Sequence, residues 1–206
     1  MKVSVSILKL EDKNELKVIE NSNPDYIHID VMDGEFVNNT SFPYKEVETL
    51  VDGFNYDVHL MVNDVKKYID DFKNINPKYI TFHVEVGNTL DLINYLKDKN
   101  IKVGLAINPR TDIEEVIPYL GYIDLVLVMS VEPGQGGQKF IMDTIDRIDK
   151  LYEYRKDKDL NFEISVDGGI NDETIKYVSK CDIVVSGSYV TNGDYEEKIL
   201  KLRGVL

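Results

Sequence analysis

The chain has 206 residues and a formal charge of −13, enough for one well-buried core and short for two domains. That charge argues against a general nucleic-acid or acidic-membrane surface, and no apolar run is long enough to span a bilayer. Cys181 is the single cysteine, so no internal disulfide forms, and without a basic-then-apolar leader the expectation is a cytoplasmic protein.

Strand-like and helix-like stretches alternate from end to end. Val3 to Leu8 reads as a strand and Glu11 to Asn21 as a helix. Tyr26 to Val31 is a second strand, followed after a polar loop by a short helix over Pro43 to Val51. Tyr56 to Val62 is the third strand. Asp64 then caps a helix with Val65, Tyr68, Ile69 and Phe72 on one stripe. Tyr79 to His83 precedes a helix over Thr89 to Lys97, with Leu90, Ile93 and Leu96 at helical spacing. Lys102 to Ile107 precedes one over Asp112 to Leu120. Leu125 to Met129 leads, after a long loop, to an amphipathic helix over Phe140 to Tyr154. Glu163 to Val166 is paired with a helix over Asp172 to Val178, and Ile183 to Val185 with Tyr195 to Leu202.

Eight such repeats fit a single-domain (β/α)8 TIM barrel spanning residues 1–206. Continuous apolar runs such as Leu125-Val126-Leu127-Val128 suit parallel strands covered on both faces. An open doubly wound sheet would carry a glycine-rich turn after its first strand, and Leu8-Lys9-Leu10-Glu11 is not one.

Loops that follow barrel strands emerge at one end, where active sites of this architecture lie. His28-Ile29-Asp30-Val31-Met32 puts an imidazole, a carboxylate and a thioether on one strand face, which is poor core material. His59 and Met61 share a face in the next strand, and Asp167 closes another. Any one of these residues is readily explained as a hydrogen-bonded polar group at a sheet edge. Together, His28, Asp30, His59 and Asp167 make a mixed nitrogen and oxygen ligand set suited to one divalent Zn, Fe, Mn or Co ion. His83 and Glu85 share a face and read as a hydrogen-bonded support. The loops Asp167-Gly168-Gly169-Ile170-Asn171 and Ser186-Gly187-Ser188-Tyr189 stand where this fold binds phosphate. Ser130 to Phe140, with Gly134, Gly136 and Gly137, reads as a mobile lid.

These motifs, with Ser6-Ile7-Leu8, His28 to Gly34, Asp57 to Val62, Ala106 to Pro109, Val128 to Gly134, Gly136 to Phe140, Val166 to Ile170 and Gly187-Ser188, closely resemble the ribulose-phosphate 3-epimerase family over nearly the whole chain. The resemblance implies a small-molecule ketose phosphate as substrate and a homo-oligomer as assembly, with Tyr152 and Tyr154 either at a subunit contact or covering the barrel. It implies metal ligation by His28, Asp30, His59 and Asp167, with Asp30 and Asp167 as acid and base on opposite faces of the sugar. It implies substrate contacts at Ser6, Met32, His59, Met61, Met129, Gly134, Gln135, Gly136, Gly137, Asp167, Gly168, Gly169, Gly187 and Ser188.

Inverting C3 of a 2-keto sugar phosphate needs a proton removed from one face and another delivered to the other, work that two carboxylates can share. The sequence departs from the family pattern at Glu35 (usually His), Asn38 (usually Pro), Gln135 (often aromatic) and Ser165 (often a longer, acidic side chain), which leaves room for allulose 6-phosphate as substrate. Related barrel lyases acting on hexulose phosphates use Asp-x-Lys-x-x-Asp, and Asp30-Val31-Met32-Asp33 has no lysine. The remaining alternative is a sugar-phosphate-binding barrel without catalysis.

Overall fold

The computed structural model describes residues 1–8, 13–41, 43–50 and 53–205. Eight strands, β1 (Lys2–Ser6), β2 (Tyr26–Met32), β3 (Tyr56–Met61), β4 (Tyr79–His83), β5 (Lys102–Ile107), β6 (Leu125–Met129), β7 (Glu163–Asp167) and β8 (Ile183–Ser186), form a closed barrel in chain order. Every neighbouring pair is parallel, and β8 returns to β1. The helices are α1 (Lys13–Asn21), α2 (Tyr44–Leu50), α3 (Val65–Phe72), α4 (Thr89–Lys97), α5 (Thr144–Asp157), α6 (Ser188–Thr191) and α7 (Tyr195–Arg203). None is long and apolar enough to cross a membrane. The expected ends of two helices, Glu11 and Val51, fall outside the described residues.

Strand alternation divides the apolar residues into two cores. Val3, Val5, Ile27, Ile29, Val58, Leu60, Ile80 and Phe82 point outward and pack beneath the helices. Tyr26, Tyr79, Ala106, Leu125, Leu127, Met129, Ile183 and Val185 fill the barrel itself. In α3 the Asp64 carboxylate accepts from Lys67 N at 3.4 Å, and Val65, Ile69 and Phe72 form the buried stripe. Each such apolar side chain contributes about 1.5–3 kcal/mol when fully buried. In α4 the stripe is Leu92, Ile93 and Leu96, and Leu90 faces solvent instead. Tyr152 and Tyr154 lie against the barrel shell.

Two expected helices are tighter than the spacing suggests. Residues 112–120 form two 3-10 turns, Ile113–Glu115 and Ile117–Tyr119. Pro118 lacks an N–H and obstructs the turn before it, so an α-helix does not continue through it. Residues 172–178 hold only the 3-10 turn Ile175–Tyr177. There Ile175 and Val178, three apart, are the inward pair, a spacing that suits a three-residue turn. The helix expected from Phe140 starts at Thr144, and ahead of it Ile141 N donates to Ser130 O at 2.8 Å.

Candidate metal centre and active-site cleft

Register brings the polar residues together. In the β2–β3 pairing His28 lies beside Asp57, Asp30 beside His59 and Met32 beside Met61. In the β6–β7 pairing Met129 lies beside Asp167. Because these positions share the inward parity, His28, Asp30, His59 and Asp167 converge inside the barrel. One ligand atom from each lies within 4.8 Å of all the others. The strands run on past the imidazoles to Met32 and Met61, so His28 and His59 sit below the mouth, 2% and 0% exposed.

The orientation of each ring is fixed from behind. His28 Nδ1 is 2.9 Å from Asp57 Oδ1, and that oxygen also accepts from Ser4 Oγ at 3.1 Å. His28 Nε2 is enclosed, 3.3 Å from Asp30 Oδ1, and has no hydrogen-bond partner. Leaving such a group unsatisfied costs about 1–3 kcal/mol. His59 Nδ1 lies 3.2 Å from Asp30 Oδ1 and 3.9 Å from Asp167 Oδ2, while its Nε2 is 2.8 Å from His83 Nε2. Ser6 Oγ donates to Asp30 Oδ2 at 2.8 Å. Two imidazole nitrogens and two carboxylates around one point, one nitrogen orphaned, fit a divalent cation with mixed ligands.

Burial and the Asp30 charge push Asp167 up to about 7. Burial acts the same way on Asp30, but the His28 and His59 rings outweigh it and hold Asp30 far below the usual carboxylate range. His28 is raised despite burial, by Asp57 and Asp30. Burial pushes His59 down and His83 to about 4. Two carboxylates in one site therefore differ in protonation near neutrality, a separation suited to acid–base work.

Above this centre a cleft opens. Asp30, Asp167, Ser6, Met61 and Met129 line its floor, and Gly168, Gly169, Gly187 and Ser188 one wall. Gly134 to Gly137 also line the cleft. Met32 is buried on the same strand face but is not among the lining residues. The glycines are needed for close approach. A Cβ on Gly168 would lie 2.4 Å from Val131, and one on Gly169 2.6 Å from Phe140 N. The loop expected to be mobile is docked: Asn39 Nδ2 donates to Gly134 O at 3.0 Å, and Val37 packs on Gly134. Gln138 Nε2 ties Glu132 O and Gln135 O at 2.6 and 2.8 Å, and Arg110 pairs with Glu132 at 2.8 Å.

Sequence reasoning missed Asp57 and Ser4 behind His28, and Val37 and Asn39 beneath the lid. Asp57 carried a signal, since it stands two before His59 and shares its face; that it serves His28 depends on register. Of the departures, Glu35 accepts from Asn63 Nδ2 at 3.4 Å away from the cleft, Gln135 lines it, and Ser165 is buried inside the barrel.

The model of the ribulose-phosphate 3 epimerase family matches residues 2–191. The chain belongs to this family. It is 36% identical over 208 residues to the ribulose-phosphate 3-epimerase of Helicobacter pylori strain J99, covering 98% of this chain and 94% of that one. To the Bacillus subtilis strain 168 protein of the same name it is 36% identical over 216 residues, covering 99% of each. Among solved structures, 3-hexulose-6-phosphate synthase from Salmonella typhimurium superposes with a TM-score of 0.73 at 18% identity, covering 100% and 98% of the two chains. Phosphoribosyl anthranilate isomerase from Thermotoga maritima gives 0.65 at 15%, with the same coverage. These two share the barrel fold. The family is of the isomerase class, its epimerase activity implies a small phosphosugar substrate, and the buried His/Asp cluster is able to hold a metal.

Proposed function

We propose that this epimerase inverts C3 of a ketose phosphate, interconverting D-ribulose 5-phosphate and D-xylulose 5-phosphate. His28, Asp30, His59 and Asp167 would hold one divalent Zn, Fe, Mn or Co ion. The observation that carries the reading is geometric: two carboxylates from different strands, Asp30 and Asp167, converge with His28 and His59 on one point at the floor of the cleft. In one direction ionised Asp30 takes the C3 proton and protonated Asp167 delivers another to the opposite face; the reverse direction exchanges the roles. When bound, the ion supplies Lewis-acid stabilisation of the charge that develops on the sugar oxygens, worth several kcal/mol.

Ser6 Oγ steadies the Asp30 carboxylate, and Leu8 N donates to Ser6 Oγ at 3.3 Å. Met61 and Met129 give the reacting carbon a polarisable wall that donates no competing proton, with Met32 packed behind. Backbone N–H groups at Gly168-Gly169 and Gly187-Ser188 hold the phosphate, as they must against an overall charge of −13. Gly134 to Gly137 cover the sugar and exclude water.

The test is exchange of the C3 proton of ribulose 5-phosphate with solvent deuterium, alongside metal analysis of the purified protein. Asp30→Asn and Asp167→Asn each nearly abolish epimerisation, and the variant that keeps the base facing the C3 proton retains exchange without inversion. Wild-type epimerisation in either variant removes the two-carboxylate mechanism. Faster turnover of allulose 6-phosphate than of the pentulose ester would move the assignment to the six-carbon substrate.

A further inference from the structure

We propose that His83 and Glu85 form a positioning relay that sets which nitrogen of His59 carries hydrogen, so that the Nδ1 lone pair faces the ion. The inference rests on the metal reading above, yet its evidence is a hydrogen inventory in the chain itself. The two Nε2 atoms of His59 and His83 are 2.8 Å apart. At that distance one must donate and the other accept, because two lone pairs would repel.

Two arrangements of neutral rings satisfy the contact. In the inward one, His59 Nδ1–H donates to Asp30 Oδ1, 3.2 Å away, and His59 Nε2 accepts from His83 Nε2–H. His83 Nδ1 then turns a lone pair onto Glu85 Oε2 at 3.2 Å, an acceptor against an acceptor. In the outward one, His59 Nε2–H donates to His83 Nε2, and His83 Nδ1–H donates to Glu85 Oε2. Every hydrogen in that chain has an acceptor.

Each arrangement leaves one nitrogen lone pair against a carboxylate, His83 Nδ1 on Glu85 in the inward one and His59 Nδ1 on Asp30 in the outward one. Only the second gap lies within the ligand cluster, where a cation relieves it, and Glu85 biases the pair toward it. Its other oxygen, Oε1, accepts from the backbone N–H of Asn108 at 2.8 Å, which anchors the carboxylate in the acceptor role. Both rings are 0% exposed, so water cannot stand in for a missing partner. The Phe36 ring lies over His83 with centroids 4.8 Å apart, which closes that side. The outward arrangement leaves His59 Nδ1 bare toward Asp30, a geometry that favours a cation between them. His28 is set in the same sense by a shorter route, directly from Asp57. Each imidazole is thus backed by a carboxylate, one at first hand and one through a second imidazole.

The test reads ring nitrogens and metal affinity rather than turnover. Nitrogen-15 spectra of the metal-free protein, which has only three histidines, give the share of His59 in the Nε2–H form and of His83 in the Nδ1–H form. In Glu85→Gln, His59 moves toward the Nδ1–H form. Zinc affinity, measured by competition with a chromophoric chelator, falls by about 10–100-fold in Glu85→Gln and in His83→Leu. His83→Gln offers an oxygen to His59 and an N–H to Glu85, and recovers most of that loss. A His59 tautomer ratio that Glu85→Gln leaves unchanged, or unchanged zinc affinity in that variant, overturns the relay. Absence of zinc binding by the wild type sinks the metal reading instead, and the nitrogen spectra then decide the relay by themselves.

Discussion

Gly169→Ala probes how closely the phosphate loop and the lid are built against each other. Gly169 has φ +64°, a left-handed conformation that costs an L-residue about 1–2 kcal/mol. Its added Cβ would stand 2.6 Å from Phe140 N, 2.9 Å from Phe140 Cα and 3.1 Å from Gln138 O. All three are backbone atoms, and the segment cannot slide freely because Ile141 N is held by Ser130 O. Overpacking of this kind costs about 1–3 kcal/mol. The sum, roughly 2–5 kcal/mol, corresponds to a Tm lower by roughly 4–20 °C for a chain of this size. The displaced atoms belong to the anion loop and the lid, so KM for the sugar phosphate rises more than kcat falls. Gly121→Ala is the control, since nothing lies within 4 Å of its added Cβ. Scanning calorimetry and steady-state kinetics on the two variants give the comparison. A Gly169→Ala protein with wild-type Tm and KM would show that the loop and lid are not in fixed contact.

Two further outcomes follow from groups deeper in the barrel. Asp57→Asn keeps an acceptor near His28 Nδ1 but removes the charge behind it, and zinc affinity in the chelator competition drops by about 10–100-fold; equal affinity would mean that packing alone orients His28. At the other end, burial raises the Glu163 carboxyl, but hydrogen bonds from Lys2 and Tyr79 outweigh it and hold it below 4.5 in the folded state. A depressed carboxyl stabilises the fold above its unfolded pKa, and the contribution fades as pH falls through the folded value. Urea titrations from about pH 7 to about pH 3 should therefore show wild type and Glu163→Gln converging in stability on acidification; a constant gap would refute the assignment.

The ligand cluster was legible because strand parity is a local property. His28 and Asp30 are two apart, so any strand holding them puts both on one side, and a parallel barrel then fixes which end their loops share. What stayed hidden depends on lateral register, which no single segment encodes. That His28 pairs with Asp57 follows from the pairing of β2 with β3. That Val37 and Asn39 hold the lid follows from contacts almost a hundred residues away. Apolar spacing also overstated regular helix. The Ile113, Val116 and Leu120 pattern suits a helix, yet Pro118 turns it into two tighter turns with the same residues buried.

Inside the cylinder, chemistry is divided by strand. Ser4, Ser6, His28, Asp30, Asp57, His59, Thr81 and His83 come from β1 to β4 and Ser165 and Asp167 from β7, whereas Ala106, Leu125, Leu127, Met129, Ile183 and Val185 come from β5, β6 and β8. The hydrogen-bonded strands tolerate little exchange, because each replacement strands a partner. The apolar strands obey volume, and volume-conserving swaps there cost less than about 1.5 kcal/mol. Met129 and Val185 line the chamber yet stand beside Asp167 on either side, so resizing either one for a longer or shorter sugar also presses on a carboxylate of the ion-binding cluster.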